Sequence, residues 1–293
     1  MKKFRIRRLQ PGQYKRASIV ICVLLMVSLL TYAEVIRPNQ DAHSYVKVLD
    51  STSQPLESCF NDLAKTTTEL KIYYAPDVTL SQKRQDVATI LKEVDTCQKE
   101  LNKFETHSHD LANLHLSGFT PQYRQAKVYQ RQAFDIVGQS NDVLNQYASM
   151  ATFLSKYYDH IIAFKTYVDE LQSNKFFLGT AQLNTMGQQA SDLRQRATQI
   201  RTLEGPKEFN ATKVQTADML DTAATGFENT VKGYRSGNDS LADTGLQQVD
   251  TASNSYDSTI INLPFEQLIM SYIPKQVNQL PAKVSNLLSS SVE

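Results

Sequence analysis

The chain has 293 residues, with 31 Lys and Arg against 30 Asp and Glu, no Trp and only 10 Gly. Seven cations (Lys2, Lys3, Arg5, Arg7, Arg8, Lys15, Arg16) precede the first acidic residue, Glu34; taking them from 31 leaves 24 against 30, so the rest of the chain is mildly acidic at about −6. A nucleic-acid partner is thereby excluded, since phosphate binding needs a concentrated basic face, and the plentiful Gln, Thr, Ala and Leu with scarce Gly point to helices.

The basic leader runs directly into an uncharged apolar stretch, Ala17 to Ala33, whose most apolar part is Ile19 to Leu30. A basic flank stays on the cytoplasmic side, which predicts a single-pass anchor in the cytoplasmic membrane with Glu34 to Glu293 outside. Tyr14 and Tyr32 suit the two interfaces of such an anchor. The alternative is a signal peptide cleaved near Ala33, with small residues at Thr31 and Ala33, and a secreted product.

Residues 34–53 read as a membrane-proximal linker helix with a kink at Pro38, and Ser53 and Pro55 as the cap and first turn of the next helix. There Leu49, Leu56, Leu63 and Leu70 recur every seven positions, with Cys59, Thr66 and Tyr73 as a weaker second row, a heptad seam. Ala75-Pro76-Asp77 ends that helix. From Leu80 the series Val87, Ile90, Val94, Cys97, Leu101, Phe104, Ser108, Leu111 alternates by three and four and predicts one buried stripe.

Thr120-Pro121 restarts the chain into a helical pattern reaching Gln172 (Val137, Leu144, Tyr147, Ala151, Leu154, Tyr158, Ile161, Val168). At ~1.5 Å per residue it spans roughly 78 Å if unbroken; the alternative is a pair broken near Ser149 to Ser155. Further helices carry Leu183, Met186, Ala190, Leu193, Ala197 and Ile200, then Phe209, Thr216, Leu220, Ala223, Phe227 and Tyr234, then Leu241, Leu246, Val249, Ala252, Tyr256 and Ile260. Prolines 264, 274 and 281 divide the remainder. The expected fold is all-α: an N-terminal transmembrane or signal helix (17–33) after a basic segment (1–16), then an elongated antiparallel bundle (54–263) of long heptad-patterned helices and a Pro-punctuated amphipathic tail (264–293). A division into two subdomains is expected, if anywhere, near Leu178.

Cys59 and Cys97 are equidistant from the turn around residue 78, so an antiparallel hairpin brings them to one height; a disulfide is predicted, as suits an oxidising compartment. Glu105 and His109 are one helical turn apart and form a candidate metal pair. Tyr147, Phe153, Tyr158 and His160 belong to an aromatic-rich stretch that forms a candidate ligand pocket. Ile260 to Ile273 carries nine large apolar or aromatic residues and one charge. Too short and Pro-broken to span a membrane, it needs a cover, which makes Phe265, Leu268, Ile269, Tyr272 and Ile273 a candidate interaction segment.

No Gly-rich phosphate loop, H-E-x-x-H or G-x-S-x-G occurs in the sequence, so neither catalysis nor a cofactor is expected. With its basic leader and bundle pattern, the layout resembles that of bacterial single-pass proteins holding a helical bundle outside the membrane, such as the sensory domains of chemoreceptors. The expected function is a non-enzymatic interaction or scaffold protein of the cell envelope. It would be held to the membrane by residues 17–33 and engage a protein partner or a second copy of itself. A sensor-like bundle that binds a small ligand or metal is the alternative.

Overall fold

A computed structural model describes residues 11–73, 79–111, 120–174, 178–261 and 276–289. Among them the regular structure is helical: α1 (Pro11–Thr31), a π turn (Tyr32–Ile36), α2 (Arg37–Tyr73), α3 (Leu80–Ser108), α4 (Pro121–Asn174), α5 (Thr180–Thr202), a 3-10 turn (Lys207–Phe209), α6 (Asn210–Ser236), α7 (Asp239–Ile261) and α8 (Leu280–Ser289). The all-α class is as expected, and residues 121–174 form one helix rather than a pair.

Helix α1 is apolar all round, the pattern of a helix buried on every side by protein or lipid. No part of its apolar window is buried by the protein, and Ile19 and Leu30 stand 62% and 61% exposed. It is long and apolar enough to cross a membrane or to act as a signal sequence. Just before Pro38, where a kink was expected, lies the π turn, with the Arg37 amide bonded to the Tyr32 carbonyl. A proline at 38 has no N–H for the carbonyl of Glu34 and its ring crowds that oxygen, so the helix widens over this stretch.

Ser53 is not a cap. Helix α2 runs through it and through Pro55, and the buried Ser53 hydroxyl donates back to the Asp50 carbonyl at 2.8 Å. The stripe that α2 buries is Ala42, Tyr45, Leu49, Ser53, Leu56, Phe60 and Leu63. Leu49, Leu56 and Leu63 of the expected leucine row are buried, the side chain of Leu70 lying outside the described ones, but the companion row is Tyr45, Ser53 and Phe60, and Cys59 lies beside it, partly exposed. All eight positions of the α3 series from Val87 to Leu111 are buried.

Two compact units are distinguished, one made of residues 1–57, 100–139 and 283–293, the other of 58–99 and 140–282. The division does not fall near Leu178, because α5 folds back onto α4: Gln189 Nε2 donates to Glu170 Oε2 at 2.7 Å and Tyr167 Oη donates to Asp192 Oδ2 at 2.9 Å.

In the first unit the C-terminus of α3 is capped by side chains. The last carbonyls of a helix have no partner inside it, and the Ser108 carbonyl accepts from Tyr45 Oη at 3.2 Å and from Gln130 Nε2 at 3.0 Å. Burial, with the Asp110 charge second, holds the Tyr45 phenol far above its ordinary value. Val284 and Leu287 of α8 are buried, so this part of the C-terminal tail belongs to the packed structure.

In the second unit the core holds Tyr147, Phe153, Tyr157, Tyr158, Phe164, Phe209 and Phe227, each under 2% exposed. Tyr157 shares a 2.8 Å hydrogen bond with Thr216 Oγ1, and burial pushes its phenol up to about 12. Helices α6 and α7 meet through small residues. The buried face of α7 includes Ala242, Gly245, Val249 and Ala252, whereas Leu241 and Leu246 of the expected stripe stand only partly covered beside it. Backbones this close leave no room for leucine on the line of contact, so the larger side chains take the flanks. The turn between the two helices closes α6 with Gly237 at φ 65° and the Asn238 amide bonded to the Gly233 carbonyl at 2.9 Å. Only glycine takes that left-handed conformation without cost. Asn238 Oδ1 then accepts the Leu241 amide at 3.0 Å and caps α7.

Candidate functional site

The proposed metal pair is split by the end of α3. Glu105 is in the last turn, where its carbonyl accepts from Ser108 Oγ at 2.7 Å. His109 lies just beyond the helix with its ring 4.8 Å from that of Phe134. His107 is taken by Asp110, Nδ1 to Oδ2 at 3.0 Å. Among the described residues no three His, Cys, Asp or Glu side chains come together as a metal site requires.

The four candidate pocket residues divide between the core and a groove. Tyr147, Phe153 and Tyr158 are packed core, at most 1% exposed. Phe153 lies 4.8 Å from Phe209 and 5.7 Å from Tyr157, ring centre to ring centre, and Gly205 lies against it so closely that an added Cβ would sit 2.4 Å from the ring. Aromatic side chains at helical spacing found other helices to fill the space between them.

His160 does line a groove, of about 690 Å3, whose lining mixes polar and apolar surface. Its walls are Ser149, Thr152, Lys156, Asp159 and His160 of α4, and Gln199, Thr202, Leu203 and Glu204 at the end of α5 and just after it. Behind the wall, Arg84 of α3 pairs with Asp159 at 2.5 Å and Arg196 of α5 pairs with Asp192 at 2.5 Å. Arg196 Nη1 also lies 3.5 Å from both the Asp159 carbonyl and His160 Nδ1. Burial first, then the Arg196 charge, holds the His160 imidazole below its ordinary value, against the opposing pull of Asp159 and Asp192. The arrangement offers hydrogen-bonding and ionic groups to a polar surface partner or solute. Sequence reasoning singled out His160 here but not Lys156 or Glu204 of the lining, nor Arg196 beside it, because a groove wall shared by two segments leaves no periodic signal in either.

Cys59 and Cys97 stand at disulfide distance, with Cα atoms 5.5 Å apart. Two turns further along the same hairpin, Glu93 Oε1 accepts from Thr66 Oγ1 at 2.8 Å, while Oε2 is buried without a partner among the described residues. Burial chiefly, with Asp62 and Glu69 adding to it, raises the Glu93 carboxyl above its ordinary value despite that hydrogen bond. A raised carboxyl binds its proton more readily in the folded chain, so its contribution favours folding at low pH and is lost as pH rises through the folded value. Glu93→Gln is therefore expected to raise Tm above wild type at about pH 7, and the advantage should vanish near pH 4. Paired melting curves at the two pH values check this; a variant less stable at neutral pH would show that the ionised carboxylate is favourable where it sits.

Phe265, Leu268, Ile269, Tyr272 and Ile273 lie outside the described residues. No protein-family model, curated protein or solved structure matches the chain.

Proposed function

We propose that this chain is a membrane-tethered, non-enzymatic interaction protein of the cell envelope, with α1 in the cytoplasmic membrane and the helical units outside it. The observation that carries the reading is the exposure of α1: an apolar surface from Ile19 to Leu30 that nothing among the described residues covers, on a helix that continues through the π turn into the packed α2. Apolar area on this scale, at ~25 cal/mol per Å2 removed from water, needs a lipid or protein cover. The seven cations before it favour the orientation with the bundle outside, and the cysteine pair at bonding distance suits an oxidising compartment.

The intact mass of the native protein from the membrane fraction tests the tether. A mass beginning at Met1 or Lys2, with protease access to the helical units only from the outer side, is the expected result. A mass beginning at Glu34 in the soluble fraction would mean release, and the tether would be lost.

The partner surface proposed is the segment of Phe265, Leu268, Ile269, Tyr272 and Ile273. Truncation from Pro264 is the wrong probe for it, since Val277, Leu280, Val284 and Leu287 are buried and would be removed with it. Single polar substitutions within the segment leave those residues in place.

A further inference from the structure

We propose that His160 is a proton-sensitive latch, which holds the C-terminal turns of α5 against α4 while neutral and loosens them when protonated. The geometry is that of a node joining three helices. Arg84 of α3 occupies Asp159 of α4, and Arg196 of α5 reaches Asp192, the Asp159 carbonyl and His160 Nδ1. Both carboxylates near the ring are already engaged, Asp159 by Arg84 and Asp192 by Arg196 and Tyr167. Lys156 shares the ring's side of the groove and Glu204 the opposite rim. From α6, Lys213 Nζ donates to the Leu203 carbonyl at 3.0 Å and holds the turn that closes the groove.

A neutral ring can present Nδ1 as an acceptor to Arg196. A protonated ring presents a donor there, and sets an imidazolium 3.5 Å from a guanidinium that cannot shed its own charge. The groove gives water a route to the ring, so protonation needs no prior unfolding. Its sign follows from linkage: a histidine held below its ordinary 6.5 contributes stability above that value and loses it as pH falls through the folded one. The latch is a property of the isolated protein. Its use, a response to acid outside the membrane, rests on the placement proposed above.

Hydrogen exchange on the full chain in detergent, corrected for intrinsic rates, tests the latch directly. Between about pH 7.5 and 5.5, amides from Arg196 to Thr202 should lose protection by roughly three- to ten-fold, while those from Leu220 to Val231 in α6 hold theirs. His160→Gln, which keeps an acceptor and cannot titrate, should abolish the change; His160→Asn serves the same purpose if the glutamine variant fails to fold. The local readout separates His160 from His43, His107, His109 and His115, which are the other histidines of the chain. Unchanged α5 protection in the wild type, or the same loss in a folded non-titrating variant, overturns the proposal.

Discussion

Gly245→Ala is expected to destabilise the protein by about 2 to 3 kcal/mol, the upper range for forcing extra atoms into a packed contact. That would lower Tm by about 4 to 12 °C in a unit of this size. In an ordinary helix the same change stabilises, by about 0.5 to 1 kcal/mol, because alanine loses less backbone freedom on folding than glycine. The sign reverses at Gly245 because of what surrounds it. An added Cβ would lie 2.5 Å from the Gly226 carbonyl oxygen and 2.5 Å from the Thr230 amide nitrogen, both backbone atoms of α6. Neither can move by a rotamer change, so α6 and α7 must separate along their contact. Gly187 is the control, since it is exposed in α5 with nothing within 4 Å of an added Cβ. Gly187→Ala should raise Tm slightly by the ordinary helical preference. Thermal unfolding of both variants checks the pair. Equal and opposite shifts are not required, but a stabilising Gly245→Ala would mean that the two helices do not approach as closely as the structure has them.

The same contact shows where sequence reasoning stops. The α3 stripe from Val87 to Leu111 was legible because one face packs along its whole length, so burial follows helical period alone. The α7 stripe was legible only in part: Val249 and Ala252 are buried as expected, but the approach of α6 selects for small residues at Ala242 and Gly245, which give little hydrophobic signal. A helical period identifies which residues share a face, yet not whether that face meets a cavity or another helix. Tyr147, Phe153 and Tyr158 therefore suggested a candidate pocket by residue type, whereas the structure has them as packed core, with Phe209 and Gly205 against Phe153. The groove at His160 has the opposite history. Lys156 in α4, Arg196 in α5 and Glu204 just after α5 are each unremarkable along the chain, and only the packing of α4 with α5 assembles them. The cysteine pair was legible for a reason of symmetry: a hairpin reflects residue numbers about its turn, and 59 and 97 are mirror positions.

That pair carries the other large expected effect. Cys59→Ala with Cys97→Ala should destabilise the protein by ~3 to 4 kcal/mol, the loop-entropy value for a cross-link over a separation of 38 residues, and lower Tm by about 6 to 16 °C. The cross-link acts chiefly on the unfolded chain, by denying it the conformations in which α2 and α3 drift apart. Loss of packing is a competing cause, because Cys97 is fully buried and its sulfur fills core space, whereas Cys59 is partly exposed. Reduction separates the two. Reduced wild-type protein keeps both sulfurs and loses only the bond, so its fall in Tm measures the cross-link, and the further fall in the alanine variant measures packing, on the order of 1 kcal/mol for a small buried side chain. A reductant should leave the variant unchanged. If reductant leaves the wild type unchanged as well, while mass measurement confirms three free thiols after treatment (Cys22 with Cys59 and Cys97), the bond contributes nothing to stability and the hairpin is held by its apolar stripes alone. If the untreated protein already carries three free thiols, Cys59 and Cys97 among them, the oxidising placement proposed for these helices loses one of its two supports, and the basic flank before α1 must carry the orientation by itself.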